Sequence, residues 1–250
     1  MCASGEYLAF DQIHTKGRKQ MIDATAPETA FAMRMVRRAA QLARRIQSEM
    51  VVEGMEKRDL SPVTIGDYAS QAMLGQALWE AFPNDVLVGE ESAADLRVGT
   101  GAEALAVVTQ YVADEVEGAT ADRVCDWIDR GTAEPGGRFW TLDPIDGTKG
   151  YLRGGHYAVA LALIEEGVVT LGALGCPHLD ASGGTAPDGP GSLLVAVRGQ
   201  GTWTAPLDGS AELQRLRVSP CRNAKDARVL RSVESGHTNA GAIDHICEAL

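Results

Sequence analysis

Two aspartates, Asp143 and Asp146, share the segment Trp140-Thr-Leu-Asp143-Pro-Ile-Asp146-Gly-Thr148-Lys-Gly150, with a proline between them and a glycine after. An apolar strand ending at Leu142 would fix Asp143 at a sheet edge. Pro144 locks φ, and Gly147 allows a sharp turn. Both carboxylates and the Ile145 carbonyl can then point into one space. Two carboxylates and a carbonyl oxygen, without His or Cys, are hard ligands suited to Mg2+. Thr148 adds a hydroxyl, and the amides after Gly147 can cradle an oxyanion. Standing alone, D-P-x-D-G is equally a standard turn composition in which Asp143 merely caps.

Two other segments shift that balance. Gly89-Glu90-Glu91-Ser92 follows the short apolar run Val86 to Val88, and Ser61-Pro-Val-Thr-Ile-Gly-Asp67 places a carboxylate at a loop-to-helix junction. Clustered carboxylates repel one another in a low-dielectric site, so such a cluster is tolerated mainly where cations occupy it.

The elements that must position these residues follow from periodicity. Glu28 to Met50 reads as a helix, with Phe31, Met35, Leu42, Ile46 and Met50 on one stripe. Its arginines, Arg34, Arg37, Arg38, Arg44 and Arg45, read as a solvated face. Lys57 to Gly66 reads as a loop, and Asp67 as the opening of a second helix with Leu74, Leu78 and Phe82 on its stripe. Gly101 to Val116 is a third helix and Asp129 to Arg138 a loop. From Phe139 the period changes to that of strands. Phe139 to Leu142 stops at Asp143-Pro144, and Tyr157 to Ile164 joins Val168 to Leu174 through the hairpin signal Glu165-Glu166-Gly167. Ser192 to Val197 and Thr202 to Thr204 form another hairpin. Leu213 to Val218 and Arg228 to Val233 are further strands, with helix from Thr238. Helices interleaved with antiparallel hairpins argue for a layered α+β fold.

Composition narrows the function classes. The 34 acidic against 23 basic residues give a net charge of −11, which disfavours nucleic-acid polymers and leaves an anionic substrate to be neutralised locally by cations. The longest apolar run, Ala158 to Ile164, is far too short to cross a membrane. No signal-peptide h-region is visible, so a cytoplasmic address is the default, with an organellar one left open. Five scattered cysteines without C-x-x-C give neither a zinc ribbon nor a disulfide framework. There is no P-loop, G-x-S-x-G or H-E-x-x-H. Gly99 to Ala104 matches G-x-G-x-x-A, but no buried strand precedes it.

Taken together, these motifs resemble the lithium-sensitive, Mg2+-dependent phosphatase superfamily of inositol monophosphatases and fructose-1,6-bisphosphatases. Asp143-Pro-Ile-Asp146-Gly-Thr148 and Gly89-Glu90-Glu91-Ser92 carry the general likeness. Phe139 to Gly155, Ser61 to Tyr68, Gly175-Cys-Pro177 and Ser232-Val-Glu-Ser-Gly-His237 are similar to the 3'(2'),5'-bisphosphate nucleotidase subgroup. The likeness spans roughly residues 30 to 250. It implies a layered αβαβα sandwich, with residues 1–27 a poorly ordered leader, 28–172 an N-terminal lobe holding the metal site, and 173–250 an incomplete C-terminal lobe. It implies that Glu90, Asp143, Asp146 and the Ile145 carbonyl bind Mg2+, and that Asp67 and Thr148 orient and deprotonate the attacking water. Gly147 and Thr148 amides would touch the phosphate and His237 the nucleotide. Glu91 is expected to point away. The implied reaction converts adenosine 3',5'-bisphosphate to AMP and phosphate, with the sulfated analogue a second substrate and sulfur metabolism the setting.

One departure stands out. The superfamily supplies a further metal-binding Asp in a W-D motif, and nothing after Val233 offers one. The helical stripe Ile243, Ile246, Cys247, Leu250 runs to the last residue without a cap. The expectation is a chain cut within an element and weakly active or inactive by itself, because a site short of one carboxylate holds its second metal poorly. The alternatives are an inositol polyphosphate 1-phosphatase or inositol monophosphatase, and a truncated, non-catalytic homologue that binds metal and nucleotide.

Overall fold

Pro27–Val52 forms α1, and its apolar stripe behaves as the periodicity predicts: Phe31, Met35, Leu42, Ile46 and Met50 are all buried. The computed structural model describes residues 22–52, 61–180, 184, 186, 188–229, 241–243 and 245. The arginine face of α1 is more engaged than a solvated surface. Arg38 donates to the Glu115 carbonyl and pairs with its carboxylate at 3.2 Å, Arg45 pairs with Asp114 at 3.1 Å, and Arg44 donates to the Gly189 carbonyl. Ile22, ahead of α1, is already buried in the main core.

The second helix, α2 (Pro62–Ala81), begins five residues earlier than the sequence suggests. Ser61 is its N-cap, accepting the Thr64 N–H through its side chain, and Pro62 takes the first helical position, where its missing N–H costs nothing. Ser61-Pro62 is therefore a helix start inside the stretch expected to be loop. Asp67 sits in the second turn and caps nothing.

After β1 (Val86–Val88) come α3 (Ala102–Glu115) and α4 (Ala121–Asp129). Next are β2 (Arg138–Asp146), α5 (Thr148–Leu152), β3 (Ala158–Glu165), β4 (Val168–Cys176), β5 (Ser192–Val197), β6 (Gly201–Pro206) and β7 (Gln214–Leu216). The seven strands form one sheet in sequence order; β1 runs parallel to β2, and β2 to β6 are antiparallel. The β3–β4 turn has Glu166 at φ 49° and Gly167 at φ 75°, the left-handed pair that a tight hairpin requires. The division expected after residue 172 falls within β4. Helices α1 and α2 pack together on one sheet face, α1 over β3 to β5 and α2 over β2, while α3 and α4 pack on α2. Helices, sheet and hairpins are thus layered, a mixed α and β fold.

The anchor of this packing is Trp140 on β2, fully buried between Phe31 and Phe82 at ring-centroid distances of 5.3 and 5.8 Å. Its indole N–H donates to Asp85 at 2.9 Å, and Asp85 also accepts twice from Arg138, which reaches Glu28 and Glu165 as well.

Residues 216–250 form a separate compact unit. Within it Asn223 caps a short 3-10 turn at Ala224–Asp226 by accepting the Lys225 N–H. Arg228 and Val229 are not in a strand, and the rest of the strand expected there lies outside the described residues. Among the described residues no helix is long and apolar enough to cross a membrane.

Candidate metal and phosphate site

Strand β2 does not stop at Leu142; it continues to Asp146, and its register against β3 shifts between Asp143 and Asp146. Pro144 lies inside that irregularity, where a missing ladder donor is tolerated. The bulge moves Asp143 (half-buried) and Asp146 (exposed) out of simple alternation at the end of a strand whose other end is locked by Trp140. Gly147 follows at φ 95°, a left-handed conformation that glycine adopts without strain, and it caps α5, whose first residue is the exposed Thr148. Ile145 turns its side chain inward onto Ala43, Tyr151 and Tyr157.

Helix α2 approaches this turn closely. A Cβ placed on Gly66 would lie 2.7 Å from Ile145 Cδ1 and 3.3 Å from Tyr151 Oη. Asp67, the next residue, is therefore carried to the Asp143–Asp146 bulge. Tyr151 Oη donates to the Ala43 carbonyl at 2.9 Å, and Gln47 Nε2 donates to the Tyr151 carbonyl, so α5 is tied to α1. The third contributor is the loop after β1, with Glu90 exposed and Glu91 half-buried.

Mutual repulsion marks which acids lie near one another. Burial, then the charges of Glu91, Glu90 and Asp143, push the Asp67 carboxyl up to about 8. Burial, then Glu90 and Asp146, push Asp143 up to about 6, with the Ile145 backbone N–H pulling the other way. Glu91 is raised by burial and by Glu90, Asp143 and Asp95. Its charge acts on Asp67 ahead of Glu90's, so Glu91 lies within the same electrostatic neighbourhood.

The structure thus brings Asp67, Glu90, Asp143 and Asp146 into one electrostatic neighbourhood. His237 lies outside the described residues. Among the described residues no three His, Cys, Asp or Glu side chains are grouped as a formed metal cage. The donor set nevertheless fits a hard cation. Asp143 Oδ1 is buried without a hydrogen-bond partner, and its neighbours are acids. Such an oxygen is costly unless something positive takes it up. Beside the turn, Asp146, Gly147, His156, Tyr157, Cys176 and Leu179 line a cavity of about 320 Å³. Burial and the Asp146 charge hold the Cys176 thiol up at about 11, so it is no nucleophile at neutral pH.

This arrangement has a sign-definite consequence. With Asp67 and Asp143 raised above the ordinary carboxylate value of 3.8, the cation-free native state holds protons that the unfolded chain releases, from about pH 4 up to about 8. Their contribution to stability therefore falls as pH rises through that window. A divalent cation relieves the repulsion and competes with those protons. Mg2+ is expected to raise Tm more at pH 8 than at pH 6, by about 2–4 °C for each kcal/mol gained. Melting curves with Mg2+ or a chelator at both pH values check this, and a pH-independent shift would contradict it.

Comparison with known proteins adds an independent line. The model of the inositol monophosphatase family matches residues 24–250. The chain is 36% identical over 242 residues to the 3'(2'),5'-bisphosphate nucleotidase of Schizosaccharomyces pombe, covering 89% of this chain and 68% of that protein. It is 38% identical over 235 residues to the 3'(2'),5'-bisphosphate nucleotidase 2 of Candida albicans, covering 85% and 66%. Among solved structures, CysQ from Bacteroides thetaiotaomicron matches with a TM-score of 0.46 at 19% identity, over 88% of this chain and 67% of that one. The chain spans about two thirds of the length of the curated relatives it matches.

Proposed function

The chain belongs to the inositol monophosphatase family, and from that premise we propose that it is a Mg2+-dependent phosphomonoesterase that removes the 3'-phosphate of adenosine 3',5'-bisphosphate. The products are AMP and inorganic phosphate, and the sulfated analogue is a second substrate. The observation that carries this reading is the convergence of acids from α2, the loop after β1 and the end of β2 around the unpartnered Asp143 Oδ1. The relatives' printed names supply the nucleotide.

Glu90, Asp143, Asp146 and the Ile145 carbonyl are the groups that would hold the cations. Bound Mg2+ supplies positive charge to the phosphoryl oxygens and acidifies water. Asp67 is the general base. The α2 helix carries its carboxyl to the turn on which the exposed Thr148 hydroxyl sits, within reach of a water held between them. Water attacks phosphorus, its proton passes to the Asp67–Thr148 pair, and the ester bond to the 3'-oxygen breaks as that oxygen takes up a proton from solvent, leaving the 3'-hydroxyl of AMP and inorganic phosphate. The Gly147 and Thr148 amides orient the phosphate, and His237 contacts the nucleotide. Li+ inhibits by the same resemblance.

The test is phosphate release with Mg2+ from adenosine 3',5'-bisphosphate and inositol 1,4-bisphosphate side by side. The nucleotide is expected to lead by at least about tenfold in kcat/KM. The opposite order makes the protein an inositol polyphosphate 1-phosphatase. Metal binding without turnover of either makes it a non-catalytic relative.

A further inference from the structure

The geometry points to Gln71 as the positioning residue that fixes the backbone of the Glu90-Glu91 loop and so sets the Glu90 carboxylate beside Asp67 and Asp143; this rests on the reading that Glu90 and Asp143 hold divalent cations. Gln71 is four residues after Asp67 on α2, hence on the same helix face, and it is fully buried. Its Oε1 accepts the Glu91 N–H at 3.0 Å. Its Nε2 donates to the Glu91 carbonyl at 2.6 Å and to the Ile128 carbonyl at 2.8 Å. The amide therefore grips the Glu91 backbone at two points, as a neighbouring strand would, and leaves both carboxylates free.

The grip is tightly fitted. A Cβ on Gly131 would stand 2.5 Å from Gln71 Nε2, and one on Gly89 would collide with Gln71 Oε1. The Gly89 N–H donates to the Gly131 carbonyl at 2.8 Å. The acidic loop is thus fastened on one side to α2 and on the other to the end of α4, with Asp129 Oδ1 accepting the Ala93 N–H further along. Among side chains of this reach, only a glutamine offers one acceptor and two donors. Methionine fills the volume but leaves Glu91 and Ile128 backbone groups unpaired. Glutamate presents an acceptor to two carbonyls and adds charge to an already repulsive cluster. Groups that orient metal ligands commonly contribute about 10–100-fold to metal affinity.

The test is Mn2+ titration by electron paramagnetic resonance on the whole chain, comparing wild type, Gln71→Met and Leu74→Ala. Leu74 is fully buried on the same helix and has no role in the site, so its truncation controls for lost stability. Gln71→Met is expected to weaken Mn2+ by about 10–100-fold, while Leu74→Ala keeps the wild-type Kd. An unchanged Kd in Gln71→Met, or an equal loss in Leu74→Ala, overturns the assignment. Wild type that binds no Mn2+ defeats the cation reading instead. Amide exchange in the metal-free wild type tests the grip itself even where the variant does not fold. The Glu91 amide is expected to exchange on the order of a hundredfold more slowly than the exposed Glu90 amide. Equal rates sink the proposal.

Discussion

Replacing Asp143 by asparagine is expected to lower phosphate release from adenosine 3',5'-bisphosphate by on the order of a thousandfold while making the cation-free protein melt at a higher temperature at pH 8. The two effects have opposite signs because the same charge serves the cation and strains the fold. Above about pH 6 the Asp143 carboxylate is ionised against Glu90 and Asp146 with one oxygen buried and unpartnered. Asparagine keeps the shape and removes the charge, so it relieves repulsion and withdraws a hard anionic ligand. Initial rates with Mg2+ and melting curves in chelator measure both halves. Undiminished turnover would remove Asp143 from the chemistry. A lower melting temperature would show that its carboxylate is structural.

Trp140→Ala is expected to cost about 3–5 kcal/mol, a large share of the ~5–15 kcal/mol that holds a typical domain folded. The indole is fully buried, it meets Phe31 and Phe82, and those two rings also meet each other at 5.3 Å. Truncation leaves a cavity that the surrounding rings and the sheet cannot close. It also strips a donor from Asp85, which is left to Arg138. Trp140→Phe keeps an aromatic ring and loses the N–H, so it should cost about 1–3 kcal/mol. Urea denaturation of both variants resolves the packing part from the hydrogen bond; a loss below ~1 kcal/mol for alanine would mean the three rings do not interlock in solution.

Elements whose signal is local were legible in the sequence. The α1 stripe from Phe31 to Met50 repeats over about five turns, and the β3–β4 hairpin is announced by Glu165-Glu166-Gly167 between two β-rich runs. Helix α4 went unread, although Thr120 caps it and Val124, Cys125, Trp127 and Ile128 form its buried side. Nine residues give the periodicity little length over which to declare itself. Taken in isolation, Pro62 reads as part of a loop and Pro144 as the stop of a strand, because proline signals a boundary. Context made the first a helix start and let the second ride through a bulge in the strand. The acids of the candidate site were legible from residue type and spacing, since carboxylates beside apolar runs stand out. What holds them was not. Gln71 and Gly131 are ordinary residues in ordinary surroundings, and only the fold places the amide between Gly131 and Gly89. The grip on the Glu91 backbone is equally hidden, because it comes from a residue twenty positions away in sequence.

Strand β2 holds the central packing anchor at Trp140 and an acid of the site at Asp143, three positions apart on one nine-residue run. A lineage under selection for heat tolerance therefore has almost no freedom in that stretch. Any repacking that shifts the girder tips the working edge with it, so adaptive change should accumulate in the outer helices and leave β2 nearly frozen.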